Sequence, residues 1–140
     1  MKSFESSSVI NATPERIWSI LVDGPRYADW DSGVLSVDGR IALGETIKVV
    51  SGANPGRTFP VKVTRFDANR AMTWSGGMPL GLFKGVRTFT LAPENGTTRF
   101  DVREEYSGPL LSMMWRSMPD LGPSFAQFAN GLKQRAEQPG

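Results

Sequence analysis

The chain has 140 residues, 39% of them hydrophobic and 21% charged, and its formal net charge is +2. We expect one domain (1–140) with one core, and no apolar run approaches the roughly 18 residues that a membrane span needs. Cysteine and histidine are both absent, which excludes disulfides and thiolate chemistry and removes the commonest general base. We therefore predict no metal site and no cofactor.

The charge distribution and the N-terminal residues indicate which partners and which location to expect. The 16 basic and 14 acidic residues are mixed along the chain rather than gathered into a basic stripe, which argues against nucleic acid as a partner. Lys2 stands near the start with no apolar stretch behind it, unlike a secretory signal. We expect a cytoplasmic protein without stable membrane insertion, as a monomer or a weak homodimer.

The first predicted elements are a strand from Phe4 to Ile10 and a short helix after it. Thr13 suits the N-cap of this helix, and Pro14 suits its first position. The helix should end near Asp23-Gly24-Pro25, with one more helical turn before Trp30.

Strand patterns then continue to Tyr106, with Gly, Asn, Asp or Pro in the breaks. The predicted strands are Leu35 to Val37, Thr46 to Val50, Thr58 to Phe66, Ala71 to Ser75, Leu82 to Leu91 and Thr97 to Tyr106. Because the loops are short and no long crossover interrupts them, we predict an antiparallel meander in an α+β fold.

The C-terminal third changes to helical spacing. Six apolar residues share one face of a long predicted helix: Leu121, Phe125, Phe128, Ala129, Leu132 and Ala136. Pro119 and Pro123 should break or kink the chain before it. The stretch Leu110 to Met118 is therefore either a separate helical piece or a lid-like arm.

The last two strands contain the most informative pattern. Asn95-Gly96 is the preferred pair for a two-residue type I′ hairpin, and that register places Arg87 opposite Glu104 on the apolar inner face. A four-residue loop would place the two residues diagonally, still on that face and within reach of each other.

A charged pair on an apolar face has two explanations. Desolvating two ions costs several kcal/mol, so Arg87 and Glu104 are either a polar anchor inside a ligand cavity or a structural ion pair at a hydrated rim. Gly85 leaves space beside the pair, which favours a cavity.

Apolar residues of this face, of the arm before the long helix and of the helix itself form the rest of a candidate ligand site. Aromatic and methionine side chains suit an adaptable pocket, although plain core packing is the alternative for each of them. The candidates are Phe59, Val61, Met72, Trp74, Phe83, Phe89, Phe100, Tyr106, Met113, Met114, Met118, Leu121 and Phe125. Trp18 and Trp30 are expected to be structural.

The order of these motifs resembles a known family, the SRPBCC or polyketide cyclase/dehydrase-like proteins of the START and birch-pollen-allergen superfamily. The resemblance starts at Ala12-Thr13-Pro14-Glu15, continues through Trp18 and Trp30, and covers nearly the whole chain. Its later residues are Gly85, Phe89, Leu91, Thr98, Glu104, Tyr106, Gly108, Phe125, Leu132, Lys133 and Ala136-Glu137.

The resemblance implies a helix-grip fold. A seven-stranded curved antiparallel sheet would wrap around the long C-terminal helix, with two short helices after the first strand and an apolar cavity inside. Many relatives carry a histidine at the position of Arg87. Arginine keeps a hydrogen-bond donor there but removes a proton shuttle near neutral pH.

Three functions are compatible with this sequence. The leading hypothesis is binding of a small hydrophobic molecule (a lipid, quinone, polyketide or aromatic metabolite) between sheet and helix, oriented by Arg87 and Glu104. The second is a cyclase, aromatase or dehydratase in which Glu104 is the acid/base and Arg87 or Tyr106 stabilises an oxyanion. The third is a protein-interaction module of the chaperone-activator or ribosome-associated type, suggested by relatives of the fold.

Overall fold

The structure is a computed structural model that describes residues 2–118 and 120–139. Two short 3₁₀ helices, Gly24–Asp29 and Pro79–Gly81, accompany the main elements. The strands are β1 (Lys2–Ile10), β2 (Val34–Asp38), β3 (Thr46–Ser51), β4 (Phe59–Asp67), β5 (Ala71–Gly77), β6 (Lys84–Glu94) and β7 (Thr97–Ser107). The α-helices are α1 (Pro14–Leu21), α2 (Leu111–Ser117) and α3 (Gly122–Glu137).

The seven strands form one antiparallel sheet in the order β1-β7-β6-β5-β4-β3-β2. Strands β2 to β7 follow one another as a meander, whereas β1 pairs with β7 at the far edge. The chain reaches the other edge through α1 and the first 3₁₀ helix. The sheet curls around α3, so the predicted α+β helix-grip fold is confirmed.

The first helix begins as the sequence predicts. The Thr13 hydroxyl accepts a hydrogen bond from the Arg16 backbone N–H, and Pro14 occupies the first turn, where its missing N–H costs nothing. Trp18 of α1 is buried and lies edge-on against Phe66 of β4, with 5.2 Å between the ring centroids. Trp18 is therefore a packing residue, as expected.

The β6–β7 turn has the predicted two-residue form. Asn95 and Gly96 both have positive φ, 46° and 85°, as a type I′ turn requires. The resulting register sets Arg87 against Glu104 and Phe89 against Val102. The four-residue alternative is excluded.

The long helix fills the concave face of the sheet. It buries Phe125, Phe128, Ala129 and Leu132 in the core. At Gly131 the backbones come so close that an added Cβ would lie 1.9 Å from the Asp31 carbonyl oxygen. Glycine at this position is what lets α3 lie against the segment before β2.

The arm before α3 is a separate helix, which was one of the two predicted forms. None of the residues of α2 is buried. Pro119 lies outside the described residues, and Pro123 occupies the first turn of α3. Among the described helices, none is long and apolar enough to cross a membrane.

Candidate functional site

The predicted ion pair lies in the middle of a row of residues that crosses the inner face of five strands. Direct cross-strand partners place Phe4 beside Glu104, Glu104 beside Arg87, Arg87 beside Trp74, and Trp74 beside Val63. Residues opposite one another on a sheet have neighbouring side chains. The two charges therefore stand between aromatic residues on both sides.

Arg87 and Glu104 form a close, half-buried ion pair. Nε of Arg87 donates a hydrogen bond to Oε1 of Glu104 at 2.7 Å, and the two side chains keep 24% and 17% of their exposure. The guanidinium carbon of Arg87 lies 4.7 Å from the ring centroid of Phe125, a cation–π contact. Both charges thus lose most of their water, and α3 covers the arginine.

Two buried polar atoms beside this pair have no partner. Tyr106 and Trp74 retain only 3% and 4% of their exposure. The Tyr106 hydroxyl lies near the Glu104 carboxylate, but neither it nor the Trp74 indole N–H makes a hydrogen bond of acceptable geometry to the described residues. Burial raises the pKa of Tyr106, and the nearby Glu104 carboxylate raises it further, so the hydroxyl keeps its proton. Unpartnered buried donors are uncommon, and a ligand or an ordered water would satisfy these two.

Aromatic rings surround Tyr106. We call Phe4, Phe83, Tyr106, Trp115 and Phe125 the aromatic cluster. The Phe83 ring stacks on Tyr106 at 5.9 Å, while Trp115 meets Tyr106 edge-on at 5.8 Å and stacks on Phe4 at 5.3 Å. Through Trp115, α2 is attached to the end of the sheet.

Gly85 does not leave the empty space that we expected from the sequence. A Cβ at this position would lie 3.2 Å from Oε2 of Glu104 and 3.4 Å from the Tyr106 ring. The space beside the glycine is occupied by the Glu104 carboxylate and the Tyr106 ring.

The other candidate residues fall into two groups. Met72, Phe89 and Phe100 lie deeper in the core, where Phe89 and Phe100 contact Phe128 of α3. The remaining candidates lie toward the end of the sheet or on the arm, partly or largely exposed: Phe59, Val61, Met113, Met114, Met118 and Leu121. Met113 is 61% exposed. The residues that meet around the ion pair are thus Trp74, Tyr106 and Phe125, with Phe83 stacked on Tyr106.

Phe4 is the site residue that sequence reasoning missed, and Trp115 was expected only as part of the arm. Phe4 reaches the site because β1 pairs with β7, a long-range pairing that local patterns do not reveal. The available signal was the inner-face alternation of Phe4, Ser6, Ser8 and Ile10.

Two surface pockets lie elsewhere, on either side of Trp30. One, of about 360 Å³, is bounded by Trp30, Val34, Leu35 and Gln127, and the other, of about 220 Å³, by Trp30, Asp31 and Arg135. Trp30 packs on Phe128 at 5.2 Å, in keeping with its expected structural role. Neither pocket includes Arg87 or Glu104.

Solved structures share this fold. The Aha1 dimer from Colwellia psychrerythraea superposes with a TM-score of 0.75 at 21% identity, covering 98% of this chain and 97% of the other. A START superfamily protein from Mycobacterium smegmatis gives 0.70 at 16% identity, with 96% and 97% covered. DynU16, a protein of the dynemicin biosynthetic locus, gives 0.73 at 18% identity, with 98% and 48% covered. At such identities the likeness shows the fold alone.

No curated protein matches this sequence. A family described as "Polyketide cyclase / dehydrase and lipid transport" matches residues 1–137. Because this match covers nearly the whole chain, the chain belongs to this family.

Proposed function

We propose that this protein binds a small hydrophobic molecule between the sheet and α3, at the end of the sheet that holds Arg87 and Glu104. One observation carries the proposal: two buried donors, on Tyr106 and Trp74, lack partners beside a half-buried ion pair. Such groups cost free energy unless something satisfies them. A ligand with a polar end would do so, while the aromatic cluster contacts its apolar part.

Family membership and the fold are consistent with hydrophobic-ligand binding or a polyketide cyclase-like role. Neither identifies a ligand, because function in a shared fold depends on the site. The choice of binding as the leading function rests on the unused donors and on the absence of histidine and cysteine.

The ligand would enter by displacing α2. This helix buries none of its residues, and its ring contacts at the site are those of Trp115 with Phe4 and Tyr106. Moving one loosely packed helix costs less than opening the sheet. The apolar part of the ligand would then occupy the position of the Trp115 indole.

The first test is native mass spectrometry of gently purified protein, with Arg87→Ala and Arg103→Ala as a matched pair of variants. Arg103 is the control because it also forms ion pairs on β7, but with exposed partners, Glu5 and Glu105. We expect a retained small molecule in the wild type and in Arg103→Ala, and its loss in Arg87→Ala. A ligand-free mass, with no uptake from a panel of lipids, quinones and aromatic polyketides, would contradict the proposal.

An enzyme is the second candidate, because Glu104 lies beside the protonated Tyr106 hydroxyl. The carboxylate could accept a proton from a bound substrate while Tyr106 or Arg87 stabilises developing negative charge on oxygen. Glu104→Gln should then abolish turnover of a bound compound but retain its binding. Unchanged turnover in that variant would remove Glu104 from any mechanism.

A protein-interaction role is the third candidate. The ligand site would then be incidental. Disrupting it with Gly85→Leu, whose side chain would displace Glu104 and Tyr106, should leave the activity of the protein in cells intact. Loss of that activity in a folded Gly85→Leu protein would exclude this role. Sedimentation of the wild type over a concentration series would test the predicted monomer or weak homodimer.

A further inference from the structure

We infer that the ligand of the proposed site is an uncharged molecule whose polar atoms are carbonyl-type acceptors, and that Trp74 and Tyr106 select it. This inference rests on the proposed function and specifies the chemistry of its ligand. It follows from which hydrogen-bonding groups at the site are already used and which are not.

Most of the unused groups are donors. The Trp74 indole can only donate, and the Tyr106 hydroxyl donates when an acceptor is presented to it. Arg87 uses Nε for Glu104, and its described hydrogen bonds leave both Nη nitrogens available to a ligand. On the acceptor side, Oε1 of Glu104 is engaged by Arg87, which leaves Oε2 as the one acceptor of the pair without a described hydrogen bond. The free donors of Trp74, Tyr106 and Arg87 outnumber it. A ligand that matches this set brings acceptor oxygens.

The charges at the site favour an uncharged acceptor. Glu104 already neutralises Arg87 at 2.7 Å, so a carboxylate ligand would place a second anion beside Glu104 and would itself be desolvated. An ammonium group would compete with Arg87 for Glu104. Lys2 lies at the rim, 5.7 Å from the Trp115 ring, but it is exposed and therefore screened by water.

The positions of the donors suit a planar, apolar body with carbonyl groups. Trp74 and Tyr106 lie on β5 and β7, on either side of the strand that carries Arg87. Phe4 and Phe125 supply two tilted rings whose centroids lie 5.9 Å apart, and Trp115 stacks on Phe4. A flat ring system that replaced the Trp115 indole would meet these faces and present its oxygens to the donors.

The test compares four compounds that share one ring system. Acetylnaphthalene carries a ketone, ethylnaphthalene is the matched hydrocarbon, naphthoate is an anion, and naphthylethylamine is a cation. Binding to the full chain is measured by isothermal titration calorimetry or ligand-observed NMR. We expect the ketone to bind about tenfold more tightly than each of the other three, as one satisfied buried donor implies.

Two variants test which residues cause the preference for the ketone. Tyr106→Phe and Trp74→Phe should each reduce ketone affinity about three- to tenfold and leave the affinity for the hydrocarbon nearly unchanged. Trp18→Phe is the matched control, because Trp18 is a buried tryptophan that packs on Phe66 away from the site. The ketone preference should persist in that control.

The outcomes separate the two proposals. Equal binding of ketone and hydrocarbon, or tighter binding of naphthoate or the amine, would overturn this inference and leave the binding function intact. Failure of all four compounds together with a ligand-free native mass would overturn the binding function itself. Where a molecule co-purifies, an uncharged carbonyl compound supports the inference, and a carboxylate or amine overturns it.

Discussion

Tyr27 and Tyr106 are both buried, but only one of their hydroxyls is hydrogen-bonded. The Tyr27 hydroxyl donates to the Leu21 carbonyl at the end of α1. The Tyr106 hydroxyl has no described partner. Because an unsatisfied buried polar group destabilises the folded state, whereas a satisfied one contributes to it, the same substitution should have opposite effects at the two positions.

We predict that Tyr106→Phe, without ligand, raises the free energy of unfolding by about 1 kcal/mol, and that Tyr27→Phe lowers it by about 1 kcal/mol or more. Urea denaturation followed by fluorescence would measure both. If Tyr106→Phe were as destabilising as Tyr27→Phe, the Tyr106 hydroxyl would be satisfied in the free protein, and the argument for a ligand would lose its main support.

The residues of the site differ in how far the sequence foretold them. Arg87 and Glu104 were predicted as a facing pair because Asn95-Gly96 fixes a local register. Phe4 was not, since its place depends on pairing between the first and last strands. The filled space over Gly85 was also missed, because side-chain packing of Glu104 and Tyr106 follows no sequence period.

At the scale of single elements, Gly131 determines how α3 is placed. Helix propensity alone would make alanine there more stable by about 1 kcal/mol. The close approach of the Asp31 carbonyl makes alanine destabilising instead, since an added Cβ would lie 1.9 Å from that oxygen. We predict that Gly131→Ala lowers the free energy of unfolding by about 1–3 kcal/mol.

The control for this change is Asn130→Ala, at the exposed neighbouring position of the same helix. It should be neutral or stabilising by a few tenths of a kcal/mol. Chemical denaturation of the two variants gives the comparison. Equal stability of Gly131→Ala and the wild type would mean that α3 can shift away from Asp31 at no cost.

The two last helices should differ in local stability. Helix α3 buries six of its residues, whereas α2 buries none. Amide hydrogen exchange should therefore be fastest in α2 and slowest among the buried positions of α3 and the central strands. Equal protection of α2 and α3 would contradict an arm that opens on its own.

At the scale of the whole molecule, alkaline pH should destabilise the fold through its tyrosines. The chain has two tyrosines, and burial raises the pKa of both above the ordinary value of about 10. Each hydroxyl stays protonated to a higher pH in the folded state than in the unfolded state. Its contribution to the free energy of unfolding is therefore complete below pH ~10. Above that pH the contribution declines by up to about 1.4 kcal/mol per pH unit for each tyrosine.

Ultraviolet titration would check this expectation. Tyrosinate absorbance should appear together with the loss of the folded state, as followed by circular dichroism. Tyrosinate formation near pH ~10 in a protein that is still folded would show that at least one of the two rings is accessible to water.

The sequence patterns predicted most of the fold because most of its pairings are local. Strands β2 to β7 connect to their neighbours through short turns, and Thr13 with Pro14 sets the start of α1. The closure of the sheet by β1 came instead from resemblance to a known family. Whether the space in front of Arg87 is open or filled depends on how aromatic side chains pack, which local patterns do not specify.

The pairing of β1 with β7 has a consequence for the order in which the protein assembles. Phe4 and Glu104 are direct neighbours on the sheet but are separated by most of the chain. During synthesis β1 is made first and stays unpaired until β7 has been made, because contacts between distant segments form late. The row of residues that ends at Phe4 is therefore completed only when the sheet closes, so partly made chains lack the proposed ligand site.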